Sequence, residues 1–450
     1  MDVLDTAGRA VATGPLCDAC LGRLVADRSF GLENHERGRA LRVSLALSKD
    51  DPFDPPEDCW VCEGECRRYD WWAKQAATAV RGYEFDTYQI GSQVPPLFEE
   101  NDRLLREDVG LDPEAGELLK SEFNREVGKR FGDRAGGEVD FGRPDVLVVC
   151  DLATDSVDVQ VNSAFVYGRY RKLERGIPQT EWPCRDCNGT GLVHGEQCDT
   201  CGGDGYLYTE SVEELTAPVV RDAMAGESAT FHGAGREDVD ARMLGEGRPF
   251  VIEVAEPRTR TVDTDTLAAE IDEFADGKVE VRDLRLATYE MVERVKEHDA
   301  SKRYRLVVEF DEPVETAALT DALATLTGAT VEQETPHRVS HRRAAKTRVR
   351  EVYSADGELR PGLAPETPAG RALDEVTSGK DRGARTATQA TVEIHGEGGL
   401  YVKELVSSDD GRTEPSLSGL LGVDATVTAL DVLAVEGEDE PFAQGAFLRE

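Results

Sequence analysis

A chain of 450 residues has room for two or three domains, each with its own core. Its 89 acidic residues against 52 basic ones give a net charge of −37, with arginine strongly favoured over lysine. That balance suits a salt-rich cytoplasm and speaks to solvent rather than to partner, because at 1 M salt the Debye length falls to about 3 Å and local basic grooves, not global charge, decide nucleic-acid binding. The start, MDVLDTAGRA, has no basic flank and no apolar run of the kind a signal peptide needs. No stretch approaches the roughly eighteen apolar residues of a membrane helix, so a soluble, cytoplasmic protein without membrane contact is expected. Ten cysteines, eight of them in Cys-x-x-Cys pairs, point to metal rather than to disulfides.

Residues 1–70 carry Cys17/Cys20 and Cys59/Cys62. Each pair is a knuckle that presents two thiolates, and two knuckles close a four-sulfur zinc site. Redox-active cysteines are the alternative. Cys66 is a spare thiol that could replace Cys59 or Cys62, and Cys150 sits in an apolar run as a small core residue. Residues 71–182 alternate helix and strand: a helix over Trp71–Val80, a strand in FDTYQIGSQVPP, a charged helix over 114–131, and strands at 145–150 and 156–162. This reads as a small α/β unit. Its last part, FVYGRYRKLERGIPQT, interleaves Phe165, Tyr167 and Tyr170 with Arg169, Arg171, Lys172 and Arg175. Such a strip can grip an RNA backbone and stack on bases; an edge strand with a charged face is the alternative.

Residues 183–208 hold Cys184/Cys187 and Cys198/Cys201, each pair followed by small residues and glycines that let backbone amides approach the sulfurs. A closed site of this kind would contribute about 10–16 kcal/mol of apparent metal affinity to folding. Both sites are therefore expected to hold structural zinc, two ions in all, with no position left open for catalysis. The finger alone resembles those of DnaJ-type chaperones, but their repeated fingers and His-Pro-Asp are missing.

From residue 209 to about 440 a third region follows. SVEELTAPVVRDAM reads as a helix capped by Ser211 with Glu214 three residues on. Strands are expected at PFVIEVAEP, VEVRDLRLA (279–287) and KRYRLVVEF (302–310), with helices at EMVERVKEH and near 314–326. HRVSHRRAAKTRVR (337–350) carries six basic residues, among them Arg342 and Arg343, and no acid. An RNA-facing strand pair is expected there, with an ordinary surface strand as the alternative. Residues 354–390, rich in Gly, Pro, Ala and Thr, are expected to be a flexible loop.

The stretch around which the region is organised is GREDVDARMLGEGRPF, Gly235 to Phe250. It has no apolar stripe for a helix, and its charges and glycines favour a loop close to a ligand. It resembles the catalytic motif of the archaeal tRNA pseudouridine synthases that modify the T-loop, and the resemblance runs from the Cys17 region to about Gly422. The resemblance implies an α+β protein: a zinc-containing, THUMP-like N-terminal α/β domain, then a pseudouridine synthase domain with a central mixed or antiparallel sheet flanked by helices. It implies an isomerase that converts uridine to pseudouridine at positions 54 and 55 of tRNA, binding the T-arm, with no organic cofactor and no obligate protein partner. Asp238 falls where the family has its catalytic aspartate, as nucleophile, with Asp240 the second choice. Arg236 falls on the arginine that orients RNA or the extruded base. Tyr304, in KRYR, matches a second element, as the ring that stacks on uracil and takes part in proton transfer at C5. In GLYVKEL, a third element, Tyr401 and Leu405 would line the pocket and Lys403 would keep Asp238 ionised. A zinc-containing tRNA-binding protein without catalysis is the rival reading.

Overall fold

In the computed structural model, residues 2–298, 300–339, 345–360, 386–437, 442 and 445–449 are described. The chain forms two compact units, one of residues 1–163 with 255–260 and one of 164–254 with 261–450. Among the described residues no helix is long and apolar enough to cross a membrane.

The first unit joins what the sequence divided at residue 70. The helices Val3–Ala12, Asp18–Arg23 and Asn34–Lys49 gather around the first cysteine cluster. Helices Asp18–Arg23 and Asn34–Lys49 meet closely: a Cβ on Gly38 would lie 1.7 Å from the Asp18 carbonyl oxygen, so only glycine fits. Beyond them, the strands Glu138–Val139, Thr87–Gln93, Val146–Asp151 and Ser156–Val161 form a four-stranded mixed sheet in that order. The helices Tyr69–Ala79 and Leu119–Ala135 cover it. Trp72, fully buried, meets Phe123 edge-on at 5.8 Å and donates its indole N–H to Glu65 at 2.8 Å. The expected elements of this unit are present, shifted by a few residues at most of their ends.

The second unit is built on a ten-stranded mixed sheet. Its order runs Val279–Ala287, Ala164–Lys172, Ala241–Ala255, Ala425–Glu436, Ser301–Glu315, Thr386–Gly396, Thr347–Leu359, Thr330–Glu334 and Thr413–Glu414, with Ser228–Gly233 paired to Ala241–Ala255. The pair Ala425–Glu436 with Ala241–Ala255 is parallel. Helix Val212–Ala223 begins as expected, the Ser211 hydroxyl accepting from the Glu214 amide at 3.1 Å.

Three expectations are corrected here. The accessory region was set at 71–182, but Ala164–Lys172 is a strand of the large sheet, paired on both sides and buried on both faces. Ala164 and Val166 enter the main core while Phe165 and Tyr167 enter a second cluster on the other face. Its aromatic rings are therefore core and not a stacking strip for RNA. The loop set at 354–390 is strand over 354–359 and 386–390, paired from Ser354–His395 to Leu359–Ala390; residues 361–385 lie outside the described residues. GREDVDARMLGEGRPF is loop only to Asp240, and its remainder begins a strand. Pairing slips between Tyr170 and Lys172, which face Arg248 and Met243, so residues 244–247 bulge out. Gly245, at φ 59° and with the Leu433 carbonyl 2.0 Å from where a Cβ would stand, carries that bulge.

The Gly38→Ala substitution is expected to lower stability by about 1–3 kcal/mol through overpacking. Denaturant unfolding of the variant checks it; an unchanged midpoint would show that the two helices do not pack as described.

Candidate active site and metal clusters

Between strands Ser228–Gly233 and Ala241–Ala255, the loop 234–240 is held by its own carbonyls. Arg248 Nη1 donates to Ala234 O at 2.8 Å and Gln179 Nε2 to Gly235 O at 2.9 Å. Lys172 Nζ donates to Ile177 O at 2.7 Å and reaches Asp238 O and Val239 O at 3.3 Å each. Lys172 and Arg248 are both buried, so the donors work without competing water. Beneath the loop, Glu237 pairs with Arg248 Nε at 2.9 Å and accepts the Tyr170 hydroxyl at 2.8 Å, with Lys172 Nζ at 3.7 Å. Burial pulls the Lys172 pKa down, while Glu237 opposes that shift.

With Glu237 turned inward, Asp238 points out. Its Oδ2 lies 3.2 Å from Lys403 Nζ and 3.1 Å from Arg338 Nη1. Partial burial raises its pKa, but Arg338 first and Lys403 second pull it down, and the balance leaves it below the ordinary aspartate value. The carboxyl is thus ionised throughout the neutral range. Asp240, the second choice, is more exposed and bonds Lys403 at 2.8 Å. Tyr304 is almost fully buried on strand Ser301–Glu315. Burial drives its pKa up to about 12, with Arg248 opposing and Asp238 adding to the shift. Asp238 and Lys403, far apart in sequence, meet directly, and the Tyr304 hydroxyl feels the charge of the same carboxylate.

The other expected residues divide. Arg236 is exposed and lies over the Trp182 ring at 5.4 Å, at the base of the second cysteine finger. Tyr401 caps helix Val402–Ser407, exchanges backbone bonds with the Gln333 amide at 2.9 Å, and has Arg348 over its ring at 5.4 Å. Leu405 is fully buried; with Val402 and Val406 it anchors that helix to the core, so it packs rather than lining a surface. Arg342 and Arg343 lie outside the described residues. Two partners were missed by sequence reasoning. Glu404, next to Lys403, is buried and bonds Arg338 at 2.6 Å. Arg338 was read as RNA-facing, and only its place in an acid-free run marked it.

Four thiols of the second finger, Cys184, Cys187, Cys198 and Cys201, lie within 4.8 Å of one another. The 184–198 and 187–201 sulfurs are 3.8 and 3.7 Å apart, close to the edge of about 3.8 Å that a tetrahedron of Zn–S bonds of about 2.3 Å requires. Gly191 and Gly205 amides donate to Cys187 and Cys201, the support expected of those glycines. In the first unit Cys17, Cys20, Cys62 and Cys66 lie within 4.8 Å of one another, and Cys59 interacts with Cys17, Cys20 and Cys62, so the expected set is part of a five-thiol cluster. Cys66, on the short helical turn Glu65–Arg67, is 3.9 Å from Cys20, and Arg23 donates to it at 3.4 Å. Cys59 remains 3.5 Å from Cys20 as a fifth thiol. Both sets fit a divalent, thiophilic metal such as zinc.

A carboxylate ionised between two cations at the rim of a mixed sheet, with a separate α/β unit before it, fits the class of pseudouridine synthases. The family model for the C-terminal domain of Pus10 matches residues 165–361 and 371–436, and that for the archaeal Pus10 THUMP domain matches 72–151. A protein of Halorubrum lacusprofundi named tRNA pseudouridine synthase Pus10 is 64% identical, over 100% of both chains. One of the same name from Methanothrix thermoacetophila is 41% identical over 97% of this chain and 95% of its own, and one from Methanopyrus kandleri 39% over 93% and 94%. The chain belongs to the Pus10 family.

Two outcomes are expected. Lys172→Met should lower stability by about 3 kcal/mol, since it leaves Glu237 and two loop carbonyls short of a buried cation; an unchanged melting temperature would contradict this. Metal analysis should find about two ions per chain, one for each thiol cluster; one ion or none would count against one or both clusters.

Proposed function

We propose that the chain is a tRNA pseudouridine synthase that isomerises T-loop uridines 54 and 55, with Asp238 as nucleophile. The observation that carries this reading is the Asp238 carboxylate, fixed by its backbone and paired with Lys403 and Arg338. The names of the relatives support a tRNA substrate.

In the reaction the N1–C1′ bond of uridine breaks, the uracil turns, and a C5–C1′ bond forms. The proton lost from C5 is matched by the one gained at N1, so nothing else enters or leaves. An ionised Asp238 supplies the electron pair that attacks the nucleotide and is released again when the new bond is made. Extruding the uridine costs a few kcal/mol. Stacking on an aromatic ring returns about 1–3 kcal/mol, and Tyr304 supplies that ring and takes part in the proton transfer at C5. Arg236, exposed and over the Trp182 ring, orients the RNA. Two structural zinc ions, one held by four of Cys17, Cys20, Cys59, Cys62 and Cys66 and the other by Cys184, Cys187, Cys198 and Cys201, would tie down the N-terminal helices and the finger.

Asp238→Ala is expected to abolish pseudouridine formation while tRNA affinity falls by less than about tenfold, or 1.4 kcal/mol. Activity and affinity are read on the same unmodified transcript. Full activity in the variant would refute the assignment.

A further inference from the structure

The basic run 337–350 has an RNA-binding composition, but its second residue is turned inward to the site. Arg338 lies between two carboxylates. Its Nε and Nη2 reach Glu404 Oε1 and Oε2 at 2.6 and 3.2 Å, and its Nη1 reaches Asp238 Oδ2 and Oδ1 at 3.1 and 3.3 Å. The Glu404 side chain is only 6% exposed, so the fork of bonds fixes the guanidinium plane against a carboxylate that burial makes costly to leave unpaired. Lys403 is placed differently. It is shared between Asp238 and Asp240, and the Asp240 carboxylate is 67% exposed. Among the described residues, the charged and titratable groups around Asp238 are thus Arg338 from the turn His337–Val339, Lys403 and Glu404 from helix Val402–Ser407, Asp240 from its own loop, and Tyr304 from strand Ser301–Glu315.

We propose that Arg338, anchored by Glu404, is a second catalytic cation of this site: it touches the reacting carboxylate, holds it ionised, and turns Oδ1 toward the nucleotide. The asymmetry of the contacts sets the choice of oxygen. Both cations approach Oδ2, at 3.1 and 3.2 Å, while among the described residues Oδ1 has only the longer contact of 3.3 Å with Arg338. Oδ1 is therefore the oxygen that gives up least when it meets the nucleotide. Glu404 is a positioning residue, acting through Arg338. This inference rests on Asp238 being the nucleophile.

The test is steady-state kinetics on an unmodified tRNA transcript from pH 3 to 8, with Arg338→Gln, Arg338→Lys and Glu404→Gln. In Arg338→Gln, kcat is expected to fall about tenfold with KM within about twofold, and the acid limb of kcat to move up by about one pH unit, the size of one lost neighbouring charge. The sign follows from the lowered pKa: removing a cation that favours the carboxylate raises it, so protonation silences the enzyme at a higher pH. Arg338→Lys restores the acid limb, and Glu404→Gln lowers kcat less than Arg338→Gln. If Arg338→Gln raises KM and leaves kcat and the acid limb unmoved, Arg338 grips phosphate and the proposal fails. A fall in kcat with no movement of the limb also overturns it. Loss of the underlying reading is seen separately, as activity retained by Asp238→Ala.

Discussion

Two consecutive carboxylates with opposite fates decide this site. The Glu237 side chain is wholly buried against Arg248 and beneath Lys172, whereas that of Asp238 is 37% exposed. Burying an ion pair costs desolvation on both sides, and it is tolerated when good geometry and further hydrogen bonds satisfy what remains. Here Tyr170 completes Glu237, and the surplus positive charge of Lys172 and Arg248 goes to loop carbonyls. The ion pair therefore converts the fixed strand Ala164–Lys172 into a fixed loop. With the backbone of Asp238 clamped, its side chain needs no further ordering before it meets a substrate.

The two cations on Asp238 come from segments distant in sequence, Arg338 100 residues and Lys403 further on. At high salt the exposed Lys403–Asp240 contact is screened most, and the Arg338–Glu404 contact, whose carboxylate side is only 6% exposed, is screened least. Global charge sets its solubility, and a few paired side chains set its chemistry.

Much of the fold was legible because its signals are local. Cys-x-x-Cys spacing, the Ser211 cap and the alternation of 279–287 each report on neighbours in sequence, and each stands where expected. The failures share one cause, the need for long-range pairing. Nothing in FVYGRYRKL says that its tyrosines are core; that follows only from strands Ala241–Ala255 and Val279–Ala287 lying on either side. Cys66 joins the first thiol cluster as a fifth member because a short helical turn carries its sulfur to 3.9 Å from Cys20. The glycines of GEGRPF looked like loop and are a bulge in a strand. At the site, Asp238, Tyr304 and Lys403 are singled out by motif resemblance. Arg338 and Glu404 are not, since an arginine in a basic run gives no sign of which carboxylate it will face.

The central claim is that the chain performs chemistry on RNA with the carboxylate at position 238. Incubating the protein with an unmodified tRNA transcript and mapping pseudouridine by carbodiimide labelling tests it most directly. The account predicts label at uridines of the T-loop. A transcript that is bound yet carries no label would contradict it.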